Sequence, residues 1–118
     1  QTKNFDKAKQ LLQKAIQINP NHAAAYNNLG IVFKELGEHK KGMSHFQKAI
    51  EIKPNFENAY YNLGVTFDEL GEFQKAINYY KKAIQINPNY IDAYYNLGVV
   101  FKKLKKYQEA INCFLKDN

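Results

Sequence analysis

The sequence predicts an all-α fold built as a stack of antiparallel helix hairpins. Prolines stand at 20, 54 and 88, so the interval is 34 residues both times, and most of the residues around each proline recur with it. Within each interval the apolar residues return at steps of three and four, as on one helix face. A 34-residue period is that of a helix–turn–helix repeat.

Residues 1–22 carry Ala8, Leu12, Ala15 and Pro20, the pattern of a second helix whose unit is truncated at its start. Residues 23–56 and 57–90 form two full units, and 91–118 a third, truncated at its C-terminal end. The expectation is about three and a half units and seven helices.

Each first helix has a tyrosine in its fourth place (Tyr26, Tyr60, Tyr94), then Asn28-Leu29-Gly30, Asn62-Leu63-Gly64 or Asn96-Leu97-Gly98, then Phe33, Phe67 or Phe101. Gly37 and Gly71 mark the next turn, with Lys105 and Lys3 at the corresponding places, where the helix break is expected to be weaker. The second helices carry Gly42, Phe46 and Ala49; Ala76, Tyr80 and Ala83; and Ala110, Phe114 and Asp117. Proline ends them, because it lacks an N–H and pushes its predecessor out of the α region. The asparagines after the prolines, Asn21, Asn55 and Asn89, are expected to cap the next helix. A mid-helix glycine costs about 1 kcal/mol against alanine, so its recurrence needs a packing reason, and Gly64 against Ala76 is the expected close approach.

The length predicts one repeat segment rather than two domains. No apolar run is long enough to span a membrane. No signal peptide is visible, the absent initiator Met points to a fragment or processed chain, and a cytoplasmic setting is favoured. The single cysteine, Cys113, excludes an internal disulfide and reads as a half-buried space filler. Net charge is +6 and every cation is lysine, which weighs against bidentate recognition of phosphate or carboxylate. Lys48, Lys81 and Lys82 read as a solvated outer face. Lys102, Lys103, Lys105 and Lys106 make the one candidate basic patch, also read as solvated.

No catalytic constellation is visible. His22, His39 and His45 have no Cys or carboxylate at ligand spacing, and the glycines are scattered rather than gathered in a phosphate loop. The expectation is a chain that is not an enzyme, with no cofactor, no metal, no nucleic-acid partner and no membrane partner.

The tyrosine, Asn-Leu-Gly, phenylalanine and small-aromatic-alanine pattern, in three copies, resembles the tetratricopeptide repeat (TPR) over the whole chain. The resemblance implies a right-handed α-solenoid whose first helices line a concave groove that binds protein. It places the second, fifth, sixth, ninth, twelfth and thirteenth residues of each first helix inward. In the first full unit these are Ala24, Asn27, Asn28, Ile31, Lys34 and Glu35. In the second they are Asn58, Tyr61, Asn62, Val65, Asp68 and Glu69, and in the third Asp92, Tyr95, Asn96, Val99, Lys102 and Lys103.

The asparagines at 28, 62 and 96 form a ladder similar to that of the TPR superhelix of O-GlcNAc transferases. An amide both donates and accepts, which suits an extended peptide backbone. The other reading is that these asparagines brace adjacent hairpins. The cation pattern of the TPR clamp for acidic chaperone C-termini is missing, with Ile31, Val65 and Val99 at the ninth place.

The leading expectation is a non-catalytic scaffold holding an extended or short helical peptide. The alternatives are a substrate-recognition arm of a larger enzyme such as a glycosyltransferase, and a homo-oligomer formed through exposed terminal helices, with Leu11, Leu12 and Ile16 available on the first.

Overall fold

The structure, a computed structural model, describes the backbone of residues 2–117 and the side chains of residues 4–116. Among the described residues there are seven α-helices and no strand: α1 (Thr2–Ile18), α2 (Ala23–Glu35), α3 (His39–Ile52), α4 (Glu57–Glu69), α5 (Phe73–Ile86), α6 (Ile91–Lys103) and α7 (Tyr107–Phe114). A short 3-10 segment, Leu115–Asp117, follows. The side chains of Lys3 and Asp117 lie outside the described residues. Backbone contacts group the chain into two compact units, residues 1–59 and 60–118, divided inside α4.

The expected turns form where glycine stands. Gly37 and Gly71 adopt φ of 84° and 76°, and Lys105 adopts 62° in the same place. Each closes the first helix with the same pair of backbone hydrogen bonds. Gly37 N–H donates to Lys34 O at 2.9 Å and Glu38 N–H to Phe33 O at 2.8 Å; Lys105 N–H donates to Lys102 O at 2.9 Å and Lys106 N–H to Phe101 O at 2.8 Å. This is the Schellman arrangement, which favours a left-handed residue after the helix. The expected weakening therefore fails at Lys105: the backbone bonds hold lysine in a conformation that its Cβ disfavours. At Lys3 the weaker break is seen, because α1 runs continuously through it.

The loops after the second helices also differ from expectation. At Pro20 and Pro88 the asparagine before the proline does the bonding: Asn21 N–H donates to Asn19 Oδ1 at 3.1 Å, and Asn89 N–H to Asn87 Oδ1 at 3.1 Å. These are Asx-type turns that shape the chain around the proline. The residue capping α2 is His22, whose Nδ1 accepts from Ala25 N–H at 3.2 Å. Asn21 and Asn89 thus lie one residue too early to cap.

In the first unit Phe46 and Ala49 are fully buried, and Leu29 and Ala25 nearly so. A Cβ on Gly30 would sit 2.6 Å from Phe46 Cε1, and one on Gly42 would sit 2.8 Å from Gly30 O. Gly42 departs from alanine because α2 and α3 touch there through backbone. In the second unit the same device holds α4 to α5 and α6 to α7. A Cβ on Gly64 would meet Tyr80 Cδ1 at 2.6 Å, and one on Gly98 would meet Phe114 Cε1 at 2.6 Å. The close partner of Gly64 is thus the Tyr80 ring, four residues beyond the expected Ala76. Around it, Ala76, Ile77, Leu97, Val100, Phe101 and Ala110 close the core.

Gly64→Ala gains about 1 kcal/mol of helix propensity but forces a methyl into a fully buried ring, an overpacking cost of about 1–3 kcal/mol. The expected result is a lower urea midpoint than wild type. Lys105→Gly relieves the left-handed strain, and is expected to raise stability by about 0.5–1 kcal/mol in the same measurement.

Candidate functional site

The candidate residues lie on the first helices, which the glycine-to-ring contacts bind to the second helices. On α2, Asn28 is exposed and Ile31 half-buried. Asn27 and Lys34, expected at the accessible surface, are instead buried, at 5% and 9% exposure. The reason is local for Lys34: its Cβ lies 3.5 Å from the place a Gly42 Cβ would occupy, so the bare glycine lets α3 close over it. Its Nζ still reaches Glu35 Oε1 at 3.0 Å. Asn58, on the part of α4 that belongs to the first unit, is exposed.

In the second unit Tyr61, Asn62, Val65 and Asp68 are half-buried on α4. On α6, Asn96 and Val99 are half-buried, and Asp92, Tyr95 and Lys102 are exposed. Two pairs join α4 to α6 at the same spacing. Asn96 Nδ2 donates to Tyr61 Oη at 2.8 Å, and Lys103 Nζ donates to Asp68 Oδ1 at 3.1 Å. Each pair is 35 residues apart: the sixth place meets the fifth of the unit before, and the thirteenth meets the twelfth. Asn96 therefore braces its neighbour.

Asp68 also accepts from Tyr80 Oη at 3.4 Å. Burial, first, and then the Asp68 carboxylate push the Tyr80 phenol far above the ordinary tyrosine range; the Asn96 amide works the other way. Thr66, fully buried, satisfies its hydroxyl by donating to Asn62 O at 2.7 Å. No described buried side-chain polar atom lacks a partner.

The histidines are each occupied locally. His22 caps α2, His39 Nδ1 lies 3.3 Å from Gly37 O, and His45 Nδ1 lies 2.7 Å from Lys41 O with its ring 4.9 Å from Phe33. Among the described residues no group of three or more His, Cys, Asp or Glu is gathered around a metal position. Cys113 is half-buried, and burial raises its thiol pKa. Of the lysine group, Lys102, Lys105 and Lys106 are exposed, while Lys103 is held by Asp68. Other lysines lie over rings, as Lys81 over Phe101 at 5.9 Å and Lys75 over Phe67 at 5.4 Å. No described helix is long and apolar enough to cross a membrane.

The sequence reading missed a cavity of about 450 Å³ lined by Ile91, Asp92, Tyr94, Tyr95, Cys113 and Phe114. Its only sequence signal is that Tyr95 and Phe114 repeat Tyr61 and Tyr80, 34 residues on.

The TPR repeat profile matches residues 1–37 and 67–105, and two tetratricopeptide repeat profiles match residues 23–56 and 45–78. The chain belongs to the tetratricopeptide repeat family. Its fold is accordingly an all-α solenoid, and its broad role that of a TPR protein-interaction scaffold. No curated protein matches it. Among solved structures it is similar to the crystal structure of MamA protein, at 32% identity and a TM-score of 0.84 over 96% of this chain and 62% of that one. It also resembles the MamA RS-1 ArsTM double mutant in fold, at 23% identity and a TM-score of 0.82 over 98% of this chain and 65% of that one. The TPR chain thus spans less than two thirds of either.

Tyr80 supplies a pH test. A raised phenol pKa in the folded state leaves stability unchanged below pH ~10, the unfolded value, and removes it as pH rises further, by up to about 1.4 kcal/mol per pH unit. Tyr80→Phe is expected to flatten that alkaline loss in urea titrations at pH 9 to 11, and equal slopes for both chains would contradict it.

Proposed function

We propose that this chain is a non-catalytic scaffold that binds an extended or short helical protein segment along the inner face of its first helices. The supporting observation is the composition of the accessible first-helix residues, which recur at 34-residue intervals. Asn28, Asn58, Asp92, Tyr95 and Lys102 are exposed, and Ile31, Tyr61, Asn62, Val65, Asp68, Asn96 and Val99 are half-buried beside them. Asn27 and Lys34, being buried, support the wall rather than contribute to its surface.

The ligand expected for such a face has apolar anchors and no strong charge demand. Tyrosine offers a large contact area with a polar tip, and amides hydrogen-bond a peptide backbone in either sense. The mixed charges of Asp68, Asp92 and Lys102 favour neither an acidic nor a basic peptide. Nucleic acid fits less well, since part of the cationic surface is already held by carboxylates and rings. Catalysis is no part of the proposal, because each histidine already has a local contact.

A displayed peptide library titrated against wild type and an Asn28, Asn62, Asn96 triple alanine variant tests the ladder. Each lost amide bond is worth about 0.5–1.5 kcal/mol, so the triple variant is expected to bind at least about tenfold more weakly. Tyr61→Phe tests bracing by itself: it removes the acceptor of Asn96 but leaves the amide, and is expected to lower stability by about 0.5–1.5 kcal/mol in urea unfolding. Undiminished binding by a folded triple variant removes the ladder from the account.

A further inference from the structure

The turns that close the three hairpins match place by place. Residues 34–39 hold one lysine and two glutamates, and residues 68–73 hold Asp68, Glu69 and Glu72. Residues 102–107 hold four lysines and no carboxylate. Leucine keeps its place in all three, as Leu36, Leu70 and Leu104. The last turn thus inverts the charge around an unchanged leucine.

The inversion costs the fold at two places. Lys105 adopts a φ of 62° at the position where Gly37 and Gly71 have no Cβ to strain. Lys106 occupies the N-cap position of α7, where Glu38 and Glu72 stand before α3 and α5. A carboxylate there suits the positive end of the helix dipole, and an ammonium opposes it. Nothing in the chain offsets these costs. Among the described residues, neither Lys105 nor Lys106 has an ion pair or a ring beneath its ammonium, and Glu109 in the first turn of α7 bonds to neither. Strain kept without structural gain marks a functional position. The exposure of this turn does not depend on a further hairpin. Glu69, Leu70, Gly71 and Glu72 hold the matching places on a hairpin that already has α6 beside it, and all four are exposed, Leu70 at 43%. Lys103, Leu104, Lys105 and Lys106 are exposed likewise, Leu104 at 37%.

We propose that the α6–α7 turn docks an acidic segment of a different protein, with carboxylates on both sides of an apolar residue that covers Leu104. Lys105 and Lys106 pair with the carboxylates, and the site lies apart from the inner face of the first helices. Its neighbours decide the kind of partner. Lys103 Nζ is bonded to Asp68 Oδ1 at 3.1 Å, so the acidic turn of the preceding hairpin stands directly beside the basic one. A flat anionic membrane or a nucleic-acid rod would also press on Asp68, Glu69 and Glu72, inside the screening length of about 10 Å. A narrow peptide that crosses one turn does not. A second copy carries a similar acidic turn, but its three carboxylates are already engaged: Asp68 by Lys103 and Tyr80, Glu72 by Lys75 at 3.3 Å, and Glu69 by a contact of its own. Two chains of +6 also repel each other.

The probe is a short peptide, acetylated and amidated, with two glutamates on each side of one leucine and a neutral rhodamine tag read by fluorescence anisotropy. It is expected to bind the full chain, about tenfold more weakly at about 200 mM salt than at about 20 mM. The variant carrying both Lys105→Gly and Lys106→Glu restores the residues of the preceding turn. It is expected to bind at least about tenfold more weakly, while its urea midpoint is no lower than that of wild type. A peptide with serine in place of leucine is expected to bind about fivefold more weakly. The proposal is overturned if wild type does not bind the peptide, or if the double variant or the serine peptide binds equally well. It is also overturned if phosphatidylserine vesicles or a short single-stranded DNA bind more tightly than the peptide, or if the double variant abolishes a self-association seen in wild type. Neither Lys105 nor Lys106 belongs to the inner face, so this reading and the inner-face reading can fail independently.

Discussion

An aromatic ring from each second helix lies directly on a bare glycine of the first, and the hairpins depend on that contact. Gly30 receives Phe46, Gly64 receives Tyr80, and Gly98 receives Phe114. A side chain at any of these glycines would hold the helices apart. A smaller residue in place of the ring would leave a void where a fully buried aromatic contributes about 1.5–3 kcal/mol. The contact also fixes which side of the first helix faces its partner, and so which side remains for anything else. The small residues at 42, 76 and 110 follow from it, since the backbones come close one turn away from each ring.

Much of this was legible because repetition turns weak signals into strong ones. One interior glycine says little, but three at a 34-residue interval demand a packing reason, and the aromatic four places after each small residue supplies it. The failures have physical causes. Lys105 shows that a set of backbone bonds can hold lysine where glycine is preferred. At Pro20 and Pro88, asparagine sits on both sides of the ring, and composition alone does not say which one bonds. Asn27 and Lys34 lie at repeat positions expected to line the accessible groove; for Lys34, the exchange of alanine for glycine at 42 lets a neighbouring helix cover it. The pairs Asn96–Tyr61 and Lys103–Asp68 were hidden because their spacing is one more than the period.

The charge also reads differently once the contacts are known. The lysines suggest a uniformly basic surface, yet Lys103 is bonded to Asp68, and Lys75, Lys81 and Lys82 lie within 6 Å of ring centres. Long lysine stems cover apolar surface while their heads stay wet. That is a structural use of cations, consistent with a scaffold that presents amides, tyrosines and aliphatics to its partners.

The two ties between α4 and α6 carry a mechanical consequence. In a linear array each repeat contacts only its neighbours, so resistance to fraying is set by such lateral couplings. A hydrogen bond near the middle of the helix pair and an ion pair at its C-terminal end act as two rivets. Tugging one first helix out of place loads the next, and a guest that stiffens one will quiet the motion of both.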